Sequence, residues 1–194
     1  MKPLLVCLLI LVPCALTAQS QQPFVFTAYG GLFFPSNPDF KDAYRSSSDL
    51  IYGGGIGLPL SATLFLTGDY AWFKPEALLG PSGDSSLSLN EKILHVGLLA
   101  KQPLTRTLFL RFSAGFNLIW ATQSVASPSK PAVTAEADRR LGYFGGFGAE
   151  QLTGDPHVSF FADLLYDYRR SRAKELYGDI GGMRVVFGAH LFLF

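Results

Sequence analysis

Residues 107–120, TLFLRFSAGFNLIW, alternate between two kinds of side chain at every second position. One set is entirely apolar, whereas the other contains Arg111, Ser113, Gly115 and Asn117. Successive side chains of a β-strand point to opposite sides, so this alternation predicts a strand with two unlike faces. A helix would mix the two sets on one surface. The apolar face consists of Leu108, Leu110, Phe112, Ala114, Phe116, Leu118 and Trp120.

Seven further segments predict strands. Four repeat the alternation, namely residues 64–72, 91–100, 141–150 and 158–168. Residues 24–33 and 50–58 are rich in glycine and apolar on both faces, and their composition and place in the series assign them as strands. Residues 183–194 alternate again, but Phe192 and Phe194 fall on the polar face. Either a bulge shifts the register there or these two rings close the bottom of the lumen.

The connections between these eight segments alternate in length. Three are tight turns at residues 59–62, 102–105 and 153–156, and four are longer and polar at residues 35–48, 74–86, 122–138 and 170–175. The order is strictly long then short. Such an alternation is typical of an up-and-down meander with brief turns at one rim and larger loops at the other.

The two faces of the predicted strands indicate which side meets lipid. The apolar faces carry aromatic residues near their ends, as in an interfacial girdle: Tyr70, Trp72, Trp120, Tyr143, Tyr166 and Tyr168. Unpaired charges in a dry core are costly, but charges can pair across the lumen of a small closed barrel. The opposite faces therefore predict a lumen charge network of Asp69, Glu91, His95, Arg111, Glu150, Asp163, Asp167 and Arg184.

These patterns predict an all-β fold, an eight-stranded antiparallel up-and-down transmembrane β-barrel. Closure is required in a membrane because an open sheet edge would leave backbone groups unpaired in hydrocarbon. The alternative is a soluble barrel similar to a lipocalin, with the apolar faces around a ligand and a helix packed on the outside. No segment of the sequence predicts such a helix.

The composition agrees with a single domain and argues against a nucleic-acid partner. The 194 residues are 48% hydrophobic and 14% aromatic, with 16 Lys and Arg against 15 Asp and Glu. A nearly neutral chain offers no basic field for nucleic acid, so no nucleic-acid partner is expected. Mean hydropathy is +0.25, yet no apolar run after the first twenty residues approaches the roughly 18 that a membrane helix needs.

The first residues predict a cleaved secretory signal at 1–18, which leaves the barrel domain at 19–194. Lys2 supplies the positive start, residues 4–12 the apolar core, and residues 16–18 a small-residue cleavage region. Cleavage after Ser20 also fits the pattern. Cys7 and Cys14 would leave with the signal, so the mature chain is expected to have no disulfide or thiolate site. No phosphate loop, metal cluster or calcium loop is recognisable, and no cofactor is expected.

The last strand, GAHLFLF at residues 188–194, ends on an aromatic residue. Together with the signal and the alternating loops, it makes residues 24–194 resemble the small bacterial outer-membrane barrels of the OmpA and OmpX type. The resemblance implies an outer-membrane location, contact with membrane lipid and lipopolysaccharide, and a structural or surface-interaction role. It also implies a signal for the barrel assembly machinery formed by Gly188, Phe192 and Phe194. His190 departs from the apolar residue usual in that signal.

The lumen charges also suggest a narrow channel for small solutes. Asp69, Glu91, Asp163 and Asp167 opposite Arg111 and Arg184 would form a cation-selective path. The favoured interpretation is an internal plug of ion pairs and hydrogen bonds, because an eight-stranded interior is only wide enough for side chains. Phe109, Phe144 and Phe161 also point inward by alternation and would narrow any passage.

A second alternative is an enzyme that modifies lipid A. His157-Val158-Ser159 resembles the His-x-Ser arrangement of lipid A deacylase barrels, in which an acid completes a triad. His157 directly follows the tight turn at Asp155-Pro156, which is the rim opposite to the outer-leaflet substrate. The sequence therefore predicts a barrel that is not an enzyme.

The longer loops provide candidate residues for an extracellular ligand or for lipopolysaccharide phosphates. Residues 124–137 contain two prolines and several Ser and Ala, which predicts a mobile loop. The charged candidates are Asp39, Lys41, Asp42 and Arg45 with Tyr44 in the first loop, and Lys130, Glu136, Asp138, Arg139 and Arg140 in the third.

Overall fold

The computed structural model of this chain describes residues 24–79, 85–127, 130–168 and 181–193. These residues form nine strands and one helix. In chain order they are β1 Phe24–Pro35, α1 Pro38–Tyr44, β2 Asp49–Pro59, β3 Leu64–Phe73, β4 Glu76–Leu79, β5 Ser85–Pro103, β6 Leu108–Ser127, β7 Lys130–Leu152, β8 Val158–Tyr168 and β9 Gly182–Leu193.

Eight of the strands close into a barrel. Neighbouring strands follow the order β3-β2-β1-β9-β8-β7-β6-β5, and β3 pairs with β5 to complete the ring. Every pairing is antiparallel, including the one between the first and last strands. The short strand β4 adds to β5 beyond the end of β3. The predicted eight-stranded up-and-down barrel is therefore confirmed.

The barrel has an apolar outside and a mixed inside. Phe116 and Phe187 are each 63% exposed on the outer surface, whereas Arg111, Asn117 and Arg184 are buried. Large exposed apolar side chains occur on all eight barrel strands. A soluble barrel would place these side chains inside, so the lipocalin-like alternative is wrong.

The two rims of the barrel differ. The rim called the turn side carries the short connections at residues 60–63, 104–107 and 153–157, together with the start of β1 and the end of β9. The opposite rim, called the loop side, carries α1 and β4. On this side β5, β6 and β7 are 19, 20 and 23 residues long, against 10–12 for the other barrel strands. These three strands therefore extend beyond the loop-side rim as a sheet.

Two predictions about the loops are wrong. Helix α1 lies in the first loop, where no helix is expected from the sequence. The segment 124–137, predicted to be mobile, continues β6 and β7 as paired strands through its described residues, after a register shift between Ile119 and Ala121. Within the described part of the chain, no helix is long and apolar enough to cross a membrane.

The last strand keeps one register along its whole described length. β9 pairs residue by residue with both β1 and β8 without a bulge. Phe192 is buried at the turn-side end of the lumen. Phe192 therefore closes the bottom of the lumen, which is the second of the two alternatives given for this strand. Phe194 and the predicted signal at 1–18 lie outside the described residues.

Candidate functional site

The loop-side end of the lumen is closed by apolar side chains. Phe33 and Phe73 meet edge to face with ring centroids 4.8 Å apart. From α1, Phe40 stacks on Tyr44 at 4.5 Å and lies 5.9 Å from Phe73. Alternation predicts an inner face of small, polar and charged residues with three inward phenylalanines, and it does not predict this apolar closure. The same buried cluster includes Ile51, Ala71, Leu87, Leu89, Ile93, Ile119 and Ala121.

A smaller apolar cluster closes the turn-side end. Val25, Phe65, Leu99 and Phe192 are buried together there. The Lys101 ammonium lies 4.8 Å from the Phe65 ring centre and 5.3 Å from that of Phe192. These cation–π contacts join the apolar cluster to the charged interior above it.

The middle of the lumen contains two groups of paired charges. The first, called the Asp167 cluster, is built on one carboxylate that is 0% exposed. Its oxygens lie 2.6 Å from Arg184 Nε and 2.7 Å from His95 Nε2, and Asn117 donates to it at 3.0 Å. His95 Nδ1 is 3.1 Å from Asp69, completing the cluster.

The second group, called the Glu150 cluster, lies nearer the turn side. Glu150 Oε2 is 2.7 Å from Lys101 Nζ and 3.1 Å from Arg111 Nη1, and Ser159 donates to Oε1 at 2.7 Å. Arg111 Nη2 is also 3.0 Å from Asp163. Because every charge in the cluster is buried or nearly so, the pairs offset a desolvation cost of several kcal/mol per ion.

Rings separate and support the two clusters. Phe161 stacks on His190 with centroids 4.5 Å apart and lies 4.2 Å from the Arg111 guanidinium. Phe144 meets His95 edge to face at 4.8 Å. A cavity of about 70 Å³ lies among Asp69, Arg111, Asp163 and Arg184, which is room for a few water molecules. The interior is thus a polar chamber between two apolar closures.

The structure brings together seven of the eight residues of the predicted network, in the two clusters. Glu91 is also buried, but its Cα partners are Phe73 and Ala121, so it lies at the level of the apolar loop-side closure. Sequence reasoning left out several members that share the same inward positions. These are Tyr29, which donates to Asp69 at 2.6 Å, and Asn117, Lys101, Ser159 and His190.

The candidate catalytic pair does not form one site in this geometry. His157 is exposed in the turn before β8, and its Nδ1 lies 3.1 Å from the backbone oxygen of Phe192. Ser159 is buried inside the barrel and donates to Glu150. Among the residues that the structure describes, no group of three His, Cys, Asp or Glu side chains has the arrangement of a metal site.

The loop candidates divide into two kinds. Lys41, Asp42 and Arg45 are exposed at the loop side. Tyr44 is instead buried, and Gln123 of β6 donates to its hydroxyl at 3.1 Å, so it belongs to the closure of the lumen. The remaining charged candidates lie outside the described side chains, namely Asp39, Lys130, Glu136, Asp138, Arg139 and Arg140.

The fold and the lumen together define the class of this protein. A closed antiparallel barrel with an apolar exterior and all its strand edges paired satisfies its backbone without water. The exterior aromatic residues Tyr52, Tyr143 and Tyr166 lie in the loop-side half, as an interfacial girdle requires. The chain has the architecture of a bacterial outer-membrane β-barrel protein, as predicted.

Comparison with known proteins supports the same architecture. No protein-family model and no curated protein matches the chain. A major outer membrane protein of Thermus thermophilus has a TM-score of 0.60 and 15% identity, covering 88% of this chain and 99% of that one. Neisserial surface protein A has a TM-score of 0.59 and 14% identity, covering 87% and 95%. The N-terminal barrel domain of Pseudomonas aeruginosa OprF has 0.56 and 15%, covering 90% and 100%. At these identities the likeness is one of fold.

Proposed function

We propose that this chain is a non-catalytic integral protein of the outer membrane that acts through its loop-side surface. The observation that carries the proposal is the division of the barrel into two parts. The lumen is filled by ion pairs and closed by rings at both ends. Strands β5, β6 and β7 extend beyond the rim and offer a surface outside the membrane.

The closed lumen argues against the channel alternative. The cavity of about 70 Å³ is the feature that favours a passage, since it is lined by carboxylates and guanidinium groups. A solute would have to cross Phe33, Phe40 and Phe73 at one end and Phe65 and Phe192 at the other. The charges therefore act as an internal plug that stabilises the barrel.

Conductance in planar bilayers tests this part of the proposal. We expect the refolded protein to give no unitary steps, and the variant Phe40→Ala to stay silent as well, because the Asp167 and Glu150 clusters remain in place below the rim. Regular cation-selective steps from the unmodified protein would establish the channel instead.

The sheet extension carries the proposed surface interaction. Exposed apolar side chains lie here, namely Val133 of β7 at 68% exposure and Leu78 of β4, which pairs with β5, at 63%. On the loop side these would face water, where apolar groups mark contact surfaces. The extracellular ligand, together with membrane lipid and lipopolysaccharide, is the partner that this surface would meet.

Complementation of a deletion strain distinguishes a surface role from a structural one. The shortened variant removes residues 125–133 and joins the Cα partners Ser124 and Thr134 through Asn-Gly. We expect the full chain to restore the strain's resistance to detergents and antibiotics, and the shortened variant to reach the membrane in equal amount without restoring it. Full restoration by the shortened variant would assign the role to the barrel itself.

Export and assembly complete the proposal. Residues 1–18 would direct export and be cleaved, and the aromatic end of β9, with Gly188, Phe192 and Phe194, would be the segment read by the barrel assembly machinery. Phe192 points into the lumen and pairs with Val25 of β1 at the point where the barrel closes. This position suits a residue that is placed when the last strand meets the first.

A further inference from the structure

We propose that the outer surface of the barrel binds a lipid with an anionic phosphate headgroup, at a site centred on Lys92 and the two tryptophans beside it. This inference rests on the proposed membrane location and adds a specific lipid class and a specific place. It is carried by two features of the exterior that meet at Trp72, a row of aromatic and basic side chains and an apolar groove.

The row crosses four neighbouring strands at one level. Tyr52 of β2 is the Cα partner of Trp72 of β3, Trp72 is the partner of Lys92 of β5, and Lys92 is the partner of Trp120 of β6. All four side chains stand on the outer face, because their sequence neighbours Ile51, Phe73, Ile93 and Ile119 are buried inside. A lysine thus stands between two tryptophans on the lipid-facing surface.

The aromatic members of the row contact one another. The rings of Tyr52 and Trp72 stack with centroids 5.8 Å apart. Tyr70 joins the two tryptophans, at 4.5 Å from Trp72 and 6.4 Å from Trp120. Tyrosine and tryptophan rings of this kind lie at the level of lipid headgroups. The ring contacts therefore fix the depth of Lys92 at the loop-side membrane surface.

The positive charge at this level lacks an acidic partner on the described surface. Lys92 is exposed, and Lys74 follows β3 two positions beyond Trp72 and is exposed too. Within the described residues, no carboxylate lies within ion-pair distance of either ammonium group. Glu76 lies a further two positions towards the loops, where it pairs with Ser88. An anionic headgroup would supply the missing counter-charge.

A shallow, open apolar groove begins at the same tryptophan. Tyr52 and Trp72 line one side of it and Phe160 and Phe187 the other. Small residues on β1 and β9 form its floor, namely Ala28, Gly30, Gly188 and Ala189. A groove on the hydrocarbon-facing surface accommodates an acyl chain, and free phosphate would leave it empty. The combination of headgroup charge and groove therefore selects a lipid.

Tryptophan fluorescence reports on this site alone, because the two tryptophans of the chain are Trp72 and Trp120. The refolded barrel is placed in phosphatidylcholine vesicles that contain either phosphatidic acid or phosphatidylcholine with dibrominated acyl chains, at the same mole fraction. Bromine quenches tryptophan on close contact. We expect stronger quenching by the brominated phosphatidic acid, with about a fivefold enrichment for each lysine, and a smaller excess at 1 M salt.

The double variant Lys74→Gln/Lys92→Gln is expected to lose the excess quenching by phosphatidic acid. The matched control Arg106→Gln removes an exposed cation from the turn-side rim and is expected to keep it. Equal quenching by the two lipids in the unmodified protein would overturn the lipid site while leaving the membrane location intact. Quenching by neither lipid would overturn the site and the membrane location together.

Discussion

Asp167 is the fully buried carboxylate around which its cluster is built. It meets Arg184, His95 and Asn117 at 2.6–3.0 Å, and its side chain is 0% exposed. Arg184 is almost as deeply buried, at 1%. Two opposite charges taken out of water together are tolerable, whereas one left alone is strongly unfavourable. The barrel's stability should therefore depend on this carboxylate more than on any exposed charge.

The substitution Asp167→Asn is expected to lower the free energy of unfolding by about 3 kcal/mol, because it leaves the Arg184 guanidinium buried without its counter-charge. Guanidinium unfolding of the barrel in phospholipid vesicles measures the change. Asp69→Asn is the matched comparison, since the Asp69 side chain is 23% exposed, and we expect a smaller loss there. Equal losses in the two variants would contradict the role assigned to burial.

Alternation along single strands predicts which charges face the lumen, but pairing across the lumen depends on strand stagger. Asp69 and His95 are Cα partners on β3 and β5, a relation that neighbouring strands make natural. The contact from His95 to Asp167 joins β5 to β8, three strands apart around the ring, across the lumen. Lys101 lies six residues after His95 on the same inner face, but the sequence does not predict it as a member of the network because it lies near a strand end. Which side chains meet across the lumen depends on the shear of the barrel, that is, on the total stagger of its strands. The alternation along single strands does not predict this stagger.

At the scale of the element, each barrel strand must keep one face in lipid. Ala114→Arg is expected to cost about 2–4 kcal/mol of unfolding free energy, because Ala114 is exposed on the outer face near the middle of β6. Ala114→Leu adds apolar volume at the same place and should be tolerated. The measurement is unfolding in phospholipid vesicles, and equal tolerance of arginine and leucine would mean that this face does not meet hydrocarbon.

Helix α1 is an element that depends on its docking. Seven residues are too few for an isolated helix to be stable in water. Its buried residues Phe40 and Tyr44 are one turn apart and contact Phe73 and Gln123. The spacing of these two rings is the sequence signal that indicates a helix here, and Pro38 at its first position agrees with it.

Phe40→Ala is expected to release α1 while leaving the barrel folded, since the helix is held at the rim by ring contacts. Limited digestion with trypsin measures this, because Lys41 and Arg45 are cleavage sites within and just after the helix. We expect cleavage there at least tenfold faster than in the unmodified protein. Asp42→Ala alters an exposed position and should digest at the original rate, and unchanged digestion of Phe40→Ala would show that Phe40 does not hold the helix.

The sequence pattern does not predict the sheet extension, for a different reason. Residues 122–138 are rich in Ser, Ala, Thr and Pro, which are typical of loops, so the sequence predicts a connection there. Backbone pairing nevertheless continues from the barrel into this segment, as at Gln123 with Ala135 and Val125 with Val133. The barrel below already holds β6 and β7 side by side. Extending their pairing therefore loses little further conformational entropy.

At the scale of the whole molecule, closure of the barrel gives every barrel strand two hydrogen-bonded neighbours. Each of the eight barrel strands is paired on both sides, and β1 with β9 joins the two ends of the chain. The Asp167 and Glu150 clusters then link strands on opposite walls, as Arg184 of β9 does with His95 of β5. The described residues of 124–134 form none of the pairings that close the ring, β1 with β9 and β3 with β5, so the barrel and the tip of the extension should be separable.

Shortening the extension at Ser124 and Thr134 is therefore expected to leave a compact barrel that still migrates faster without boiling in SDS gels. The cut lies above the register shift at Ile119 and Ala121, where barrel pairing ends, and it keeps Gln123 and its contact with Tyr44. The control removes residues 114–145 and joins the Cα partners Ser113 and Gly146 through Asn-Gly. It shortens the barrel wall itself and should abolish the shift. Loss of the shift in the first variant would mean that the barrel needs the extension in order to fold, and that its strands do not close the ring by themselves.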